Sequence, residues 1–101
     1  MLTLEKIRED LREIRYYYSR KDKFDEAFKL MPSSISGIID KAHRYNEAVK
    51  SAPVRLCDIY IGLYMKNNTQ ESLSAELGYG VEYVQRHNKK LLIFLQDKLS
   101  E

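Results

Sequence analysis

Leu4, Ile7, Leu11, Ile14 and Tyr18 stand three and four residues apart, and this spacing returns in later segments of the chain. Residues so spaced share one stripe of a helix, whereas a half-buried strand alternates at every second position. The pattern constrains the fold to all-α. Four Gly and two Pro leave little material for long loops or a multi-turn β architecture.

The first helical segment spans residues 4–30. Glu5, Arg8, Glu9, Arg12, Glu13 and Arg15 flank its apolar stripe as a solvated face. On it Glu5–Arg8 and Glu9–Arg12 are i,i+3 partners, and Glu9–Glu13 is a like-charge pair. The a/d spacing also suits a coiled-coil seam, although it is short for one. Two readings stay open here, a helix packed on the rest of the domain and a homodimer seam. Tyr16, Tyr17 and Tyr18 cannot all face one side, so at least one is exposed or meets a partner. Residues 19–23 are polar enough for a surface stretch or a kink, after which Phe24, Ala27, Phe28 and Met31 resume helical spacing.

Pro32-Ser33-Ser34 stops that segment. A second helix fits residues 35–50, with Ile35, Ile38, Ile39, Ala42, Tyr45 and Val49 on one face. Pro53 can open a third helix over residues 54–65, which carries Leu56, Ile59, Tyr60, Leu63 and Tyr64 inward and ends at Lys66-Asn67-Asn68. The expected architecture is a long N-terminal helix followed by a small helical domain that ends in a helix-turn-helix. Residues 1–31 form the charged amphipathic helix, for packing or oligomerisation. Residues 32–101 form the helical domain, with the helix-turn-helix at 69–95.

Composition narrows the function. The chain has 101 residues, 44% hydrophobic and 32% charged, enough for one modest domain or a compact domain plus a projecting helix. A single cysteine, Cys57, excludes an internal disulfide and fits a reducing compartment. No apolar run approaches the roughly 18–20 residues that span a bilayer. Glu5, Lys6, Arg8, Glu9 and Asp10 leave no signal-peptide core. A soluble, cytoplasmic protein with no membrane partner is expected. His43, His87 and Cys57 are too few and too scattered for a metal site, and Cys57 reads as a small buried hydrophobe. No nucleophile triad, phosphate loop or catalytic carboxylate pair is present, so neither catalysis nor a cofactor is expected. The net charge of +2 neither announces nor forbids nucleic-acid binding, because the placement of the charge decides.

Residues 69–95, TQESLSAELGYGVEYVQRHNKKLLIFL, carry the most specific signal. Thr69 is a good N-cap, Leu73 and Leu77 give a short helix one buried edge, and Gly78 suits the left-handed end of that helix. After Tyr79-Gly80 a longer helix begins near Val81, with Val84, Leu91 and Leu95 inward. Leu73, Leu77 and Val84 would hold the interhelix angle, and small Ser74 would allow close approach. Such a unit lays its second helix in the DNA major groove while the first crosses the backbone. Val81, Glu82, Gln85, Arg86 and Lys89 would then be exposed. Gln85 suits adenine and Arg86 suits guanine or a phosphate, while Glu82 would meet cytosine or repel wrong sequences. Lys89, Lys90, Thr69 and Gln70 would contact phosphates. Arg12, Arg15, Arg20, Lys21 and Lys23 form the densest basic run, which reads either as a solvated face with Asp22 and Asp25 nearby or as a phosphate contact to flanking DNA.

Leu73-Ser74, Leu77-Gly78 and Tyr83-Val84 resemble the DNA-binding region 4 of sigma-70-type factors, although Gly80 stands where that pattern prefers a Ser or Thr N-cap. More broadly EIRYYYSRKDKFDEAF, YNEAVKSAPVRLCDIYIGLY and NNTQESLSAELGYGVEYVQRHNKKLLIFL resemble ArpU/RinA-like phage transcriptional regulators of Gram-positive hosts. The resemblance covers most of the chain and implies a phage or prophage late-gene activator that binds double-stranded DNA. Such an activator would recruit RNA polymerase or stand in for part of a sigma factor. Two other readings compete with it. One is a protein-interaction module that grips a host or phage regulator through the same surface, and the other is a DNA-packaging component that would form a ring.

Overall fold

The computed structural model describes residues 2–100, with the side chains of residues 32–35 outside that description. The described chain is all-α, a long N-terminal helix followed by a small helical domain. Its helices are α1 (Leu4–Ser19), α2 (Lys21–Leu30), α3 (Pro32–Val49), α4 (Val54–Tyr60), α5 (Gln70–Leu77) and α6 (Val81–Leu99). A π-helical turn, Ile61–Met65, continues α4.

Thr3 caps α1, its Oγ1 accepting the Lys6 N–H at 3.1 Å. The continuous segment expected over 4–30 is divided at Arg20 (φ −129°, ψ 31°). The Ser19 hydroxyl donates to the Tyr16 carbonyl at 2.7 Å, a local bond that competes with the helical ladder. Phe24 then packs edge-on against Tyr16 and at a tilt against Tyr17, with centroids 5.9 and 5.5 Å apart. Among the three tyrosines Tyr17 is buried, Tyr18 half-buried and Tyr16 exposed beneath the Arg20 guanidinium. On the other side of the break, α2 buries none of its side chains.

Helix α3 begins at Pro32, three residues before the expected start, because a proline fits the first helical turn that it would break elsewhere. Ile35, expected on its inner face, lies outside the described side chains. Ala42, Tyr45 and Val49 are buried, and Ile38 and Ile39 half-buried. Cys57 is half-buried and its Sγ lies 3.3 Å from the Val49 carbonyl.

The core joins elements from both ends of the chain. Ile7, Leu11, Ile14 and Tyr17 of α1 meet Tyr45 of α3, Ile59 and Leu63 of the third segment, and Leu91 and Leu95 of α6. The α1 stripe is therefore filled by the chain's own helices, which takes up the surface that a coiled-coil seam would need. Burying each such Leu or Ile contributes about 1.5–3 kcal/mol. Near the termini, Gln96 Nε2 donates to the Leu2 carbonyl at 2.9 Å, so α1 begins beside the end of α6 and runs back along it.

One charged group belongs to this core. Asp10 is 2% exposed; its Oδ2 accepts the Tyr45 hydroxyl at 2.7 Å, and its Oδ1 lies 3.1 Å from Lys41 Nζ and 3.3 Å from Lys6 Nζ. Lys41 also bonds Glu13, tying α3 to α1 a second time. Among the described residues the expected Glu5–Arg8 and Glu9–Arg12 pairs do not form, and the α1 charges that do pair are Lys6, Asp10 and Glu13.

Candidate nucleic-acid interface

The helix-turn-helix is built as its residues dictate. Thr69 Oγ1 accepts the Ser72 N–H at 3.0 Å and so satisfies a first-turn donor of α5. At the other end Gly78 takes φ 77°, a conformation that costs a side-chain-bearing residue but not glycine. The turn then closes through Gly78 N–H to Ala75 O at 3.3 Å and Tyr79 N–H to Ser74 O at 3.0 Å. Helix α6 starts at Val81 even though Gly80 offers no side-chain cap. An aromatic ladder braces its first turns instead. Tyr79 stacks on Tyr83, and Tyr83 lies at a tilt of 30° against His87, each pair with centroids 4.0 Å apart. His87 is buried, with Nδ1 2.9 Å from the Tyr83 carbonyl. A carbonyl only accepts, so that nitrogen carries the proton.

Leu73, Ser74 and Val84 are buried and Leu77 is half-buried, the expected packing triangle with its small neighbour. The Ser74 hydroxyl is satisfied within α5 by the Glu71 carbonyl at 2.8 Å. Close approach extends to the π turn, where Gly62 faces Leu73.

On the outer side Thr69, Glu82, Gln85, Arg86, Lys89 and Lys90 are exposed, and Gln70 and Val81 are half-buried. Gln70, Glu82, Gln85, Arg86 and Lys89 line one concavity of about 470 Å³, and Arg8 of α1 lines it with them. Thr69, Gln70, Val81 and Gln85 line a neighbouring one of about 580 Å³ together with Arg15 and Glu71. The two share Gln70 and Gln85, so seven of the eight expected contact residues form one continuous surface. Lys90 lines neither.

Sequence reasoning placed Arg8 only on the solvated face of α1, and gave Arg15 a flanking role. Their spacing of seven does put them on one side of that helix. What brings them here is the run of α1 along α6, a long-range packing. Beneath them the Tyr64 hydroxyl donates to Asn88 Oδ1 at 2.6 Å. Burial pushes the Tyr64 pKa above the ordinary phenol value, against the opposing pull of Asn88 and of the Arg15 and Arg8 charges. Arg15 is anchored, its Nε donating to Asn67 Oδ1 at 3.1 Å, whereas Arg8, Arg86, Lys89 and Lys90 make no ion pair among the described residues.

The surface can therefore offer amide and guanidinium groups on one helix face to planar hydrogen-bonding edges, with unneutralised cations around them. Comparison of the chain with protein-family models, with curated proteins and with solved structures finds no match to any of them.

Proposed function

We propose that this chain is a sequence-specific DNA-binding regulator of transcription, of the phage or prophage late-gene activator kind. The observation that carries the reading is the row Glu82, Gln85, Arg86 and Lys89, exposed on a helix whose opposite face is buried behind a capped helix and a tight turn. In this reading α6 enters the major groove. Gln85 pairs with an adenine edge, Arg86 with guanine O6 and N7, and Lys89, Lys90, Thr69 and Gln70 with phosphates. Activation would then bring RNA polymerase to the bound site, with no catalytic step in the protein itself.

A second reading, a module that docks on a protein regulator, draws support from Glu82 at the front of α6 and from Tyr79, half exposed on the turn. Salt separates the two. DNA binding weakens steeply with added salt, because the counterions it releases enter a more concentrated solution, while a mixed-charge protein interface responds less.

The test is selection of binding sites from a random-sequence duplex library, followed by titration of the selected site with wild type and Arg86→Ala. Convergence on one motif, with a loss of about 1–3 kcal/mol in the variant at one base position, is the expected result. Weak binding that is equal on all sequences and indifferent to the substitution would remove the promoter-reading model.

A further inference from the structure

Arg8 is exposed, carries no ion pair among the described residues, and lines the same concavity as Gln85, Arg86 and Lys89. The helix that bears it lies far away in sequence and is fixed by the core rather than by the turn. Two helical turns on, about 10 Å further along α1, Arg15 lines the adjoining concavity with Thr69 and Gln85. Each lines its concavity with residues of the helix-turn-helix, which places both on the side of α1 that faces it. Arg15 spends one side-chain bond on Asn67 Oδ1 and a longer one, 3.5 Å, on its carbonyl. A guanidinium has five N–H donors, so several remain.

We propose that α1 supplies a second, sequence-independent contact to DNA, in which Arg8 binds a backbone phosphate at the edge of the groove occupied by α6, with Arg15 beside it. The inference rests on the DNA-binding reading above. Its chemistry is that of a phosphodiester oxygen held by a guanidinium, where geometry and charge both match. Arg8, Arg86 and Lys89 face a single carboxylate, Glu82, in this concavity, which leaves a net positive rim toward the duplex. A phosphate contact carries no base information, so its loss weakens all sequences alike, whereas loss of Arg86 alters the ranking of sequences.

The experiment titrates the full chain with a selected site and with a short duplex of mixed sequence across a salt series. Wild type, Arg8→Gln, Arg8→Lys and Arg86→Ala are compared, with helical circular dichroism confirming that each is folded. Arg8→Gln is expected to lower affinity for both duplexes by the same factor and to reduce the slope of log affinity against log salt by about 0.9. Between about 50 and 200 mM salt the gap to wild type then narrows roughly threefold. Arg8→Lys keeps the charge and should keep the slope. An unchanged slope in Arg8→Gln, with wild type binding normally, would overturn the α1 contact and leave the helix-turn-helix reading standing. Failure of wild type to bind either duplex would overturn both.

Discussion

A Cβ placed on Gly62 would sit 2.4 Å from Leu73 Cδ1, so the first helix of the helix-turn-helix rests directly on the backbone of the π turn. Leu73 is 2% exposed and cannot swing into solvent to make room. Gly62→Ala should therefore destabilise the fold by about 1–2 kcal/mol, the overpacking cost less the helix-propensity gain of alanine. Urea denaturation measures it. In a Leu73→Val background the cost of the added methyl should shrink, and equal costs in the two backgrounds would show that the contact does not seat α5.

The buried Asp10 makes stability depend on acid. Burial alone would raise its pKa, but the Tyr45 hydroxyl and the Lys41 and Lys6 ammonium groups outweigh that and hold it below 3.8. A carboxylate with a depressed folded-state pKa contributes stability that is fully present above its unfolded value and is lost as pH falls through the folded one. Melting temperature should therefore be flat on this account near neutrality and fall below pH about 4. Tyr45→Phe removes the 2.7 Å bond to Oδ2 and should cost about 1–3 kcal/mol at pH 7. It should also move the acid transition to higher pH. A transition at the wild-type pH would mean that the hydroxyl does not stabilise the carboxylate.

The two ends of α5 are held by different devices, and each has its own signature. Thr69→Ala removes the side-chain acceptor of the Ser72 N–H and should cost about 1 kcal/mol, with Thr69→Ser restoring most of it. Gly78→Ala forces a Cβ into φ 77° and should cost about 1–2 kcal/mol although nothing lies within 4 Å of that Cβ. Gly78→Asn should cost less than alanine, since asparagine tolerates the left-handed region. The order Gly, Asn, Ala in thermal unfolding checks that the cost is backbone conformation and not packing.

The caps at Thr69 and Gly78, the start of α6 at Val81 and the inward set Val84, Leu91 and Leu95 were legible in the sequence, because local residue chemistry decides them. The break at Arg20 was half legible. The polar run marked a surface stretch or kink, but the division depends on a Ser19 hydroxyl choosing the Tyr16 carbonyl. The π turn was not legible, since nothing in the apolar spacing of residues 54–65 marks the switch to the Lys66 N–H to Ile61 O bond. Asp10 is instructive in another way. The sequence shows only its charge near the N-terminus, and its burial on the line Ile7, Asp10, Ile14, Tyr17 follows from α1 packing against Tyr45 and Lys41. Arg8 and Arg15 reach the candidate interface through the packing of α1 along α6, which no local pattern encodes.

Tyr64 and Asn88 test how that interface is held together. Their 2.6 Å bond joins the π turn to the middle of α6, where Asn88 lines the same concavity as Arg8, Gln85, Arg86 and Lys89. Tyr64→Phe leaves Asn88 Oδ1 without its donor in a half-buried site and should cost about 1 kcal/mol. Replacing both partners by apolar groups leaves no polar atom unmatched, so Tyr64→Phe with Asn88→Leu should be close to neutral. Asn88→Leu alone leaves the Tyr64 hydroxyl unmatched at a similar cost, so a double-mutant cycle by urea denaturation gives a coupling of about 2 kcal/mol. The same bond ties the middle of α6 to the π turn. Tyr64→Phe should therefore weaken DNA binding more on a selected site than on mixed sequence, because base contacts demand the tighter geometry. Additive stabilities in the cycle, with equal loss on both duplexes, would show that hydrophobic packing alone sets the position of α6.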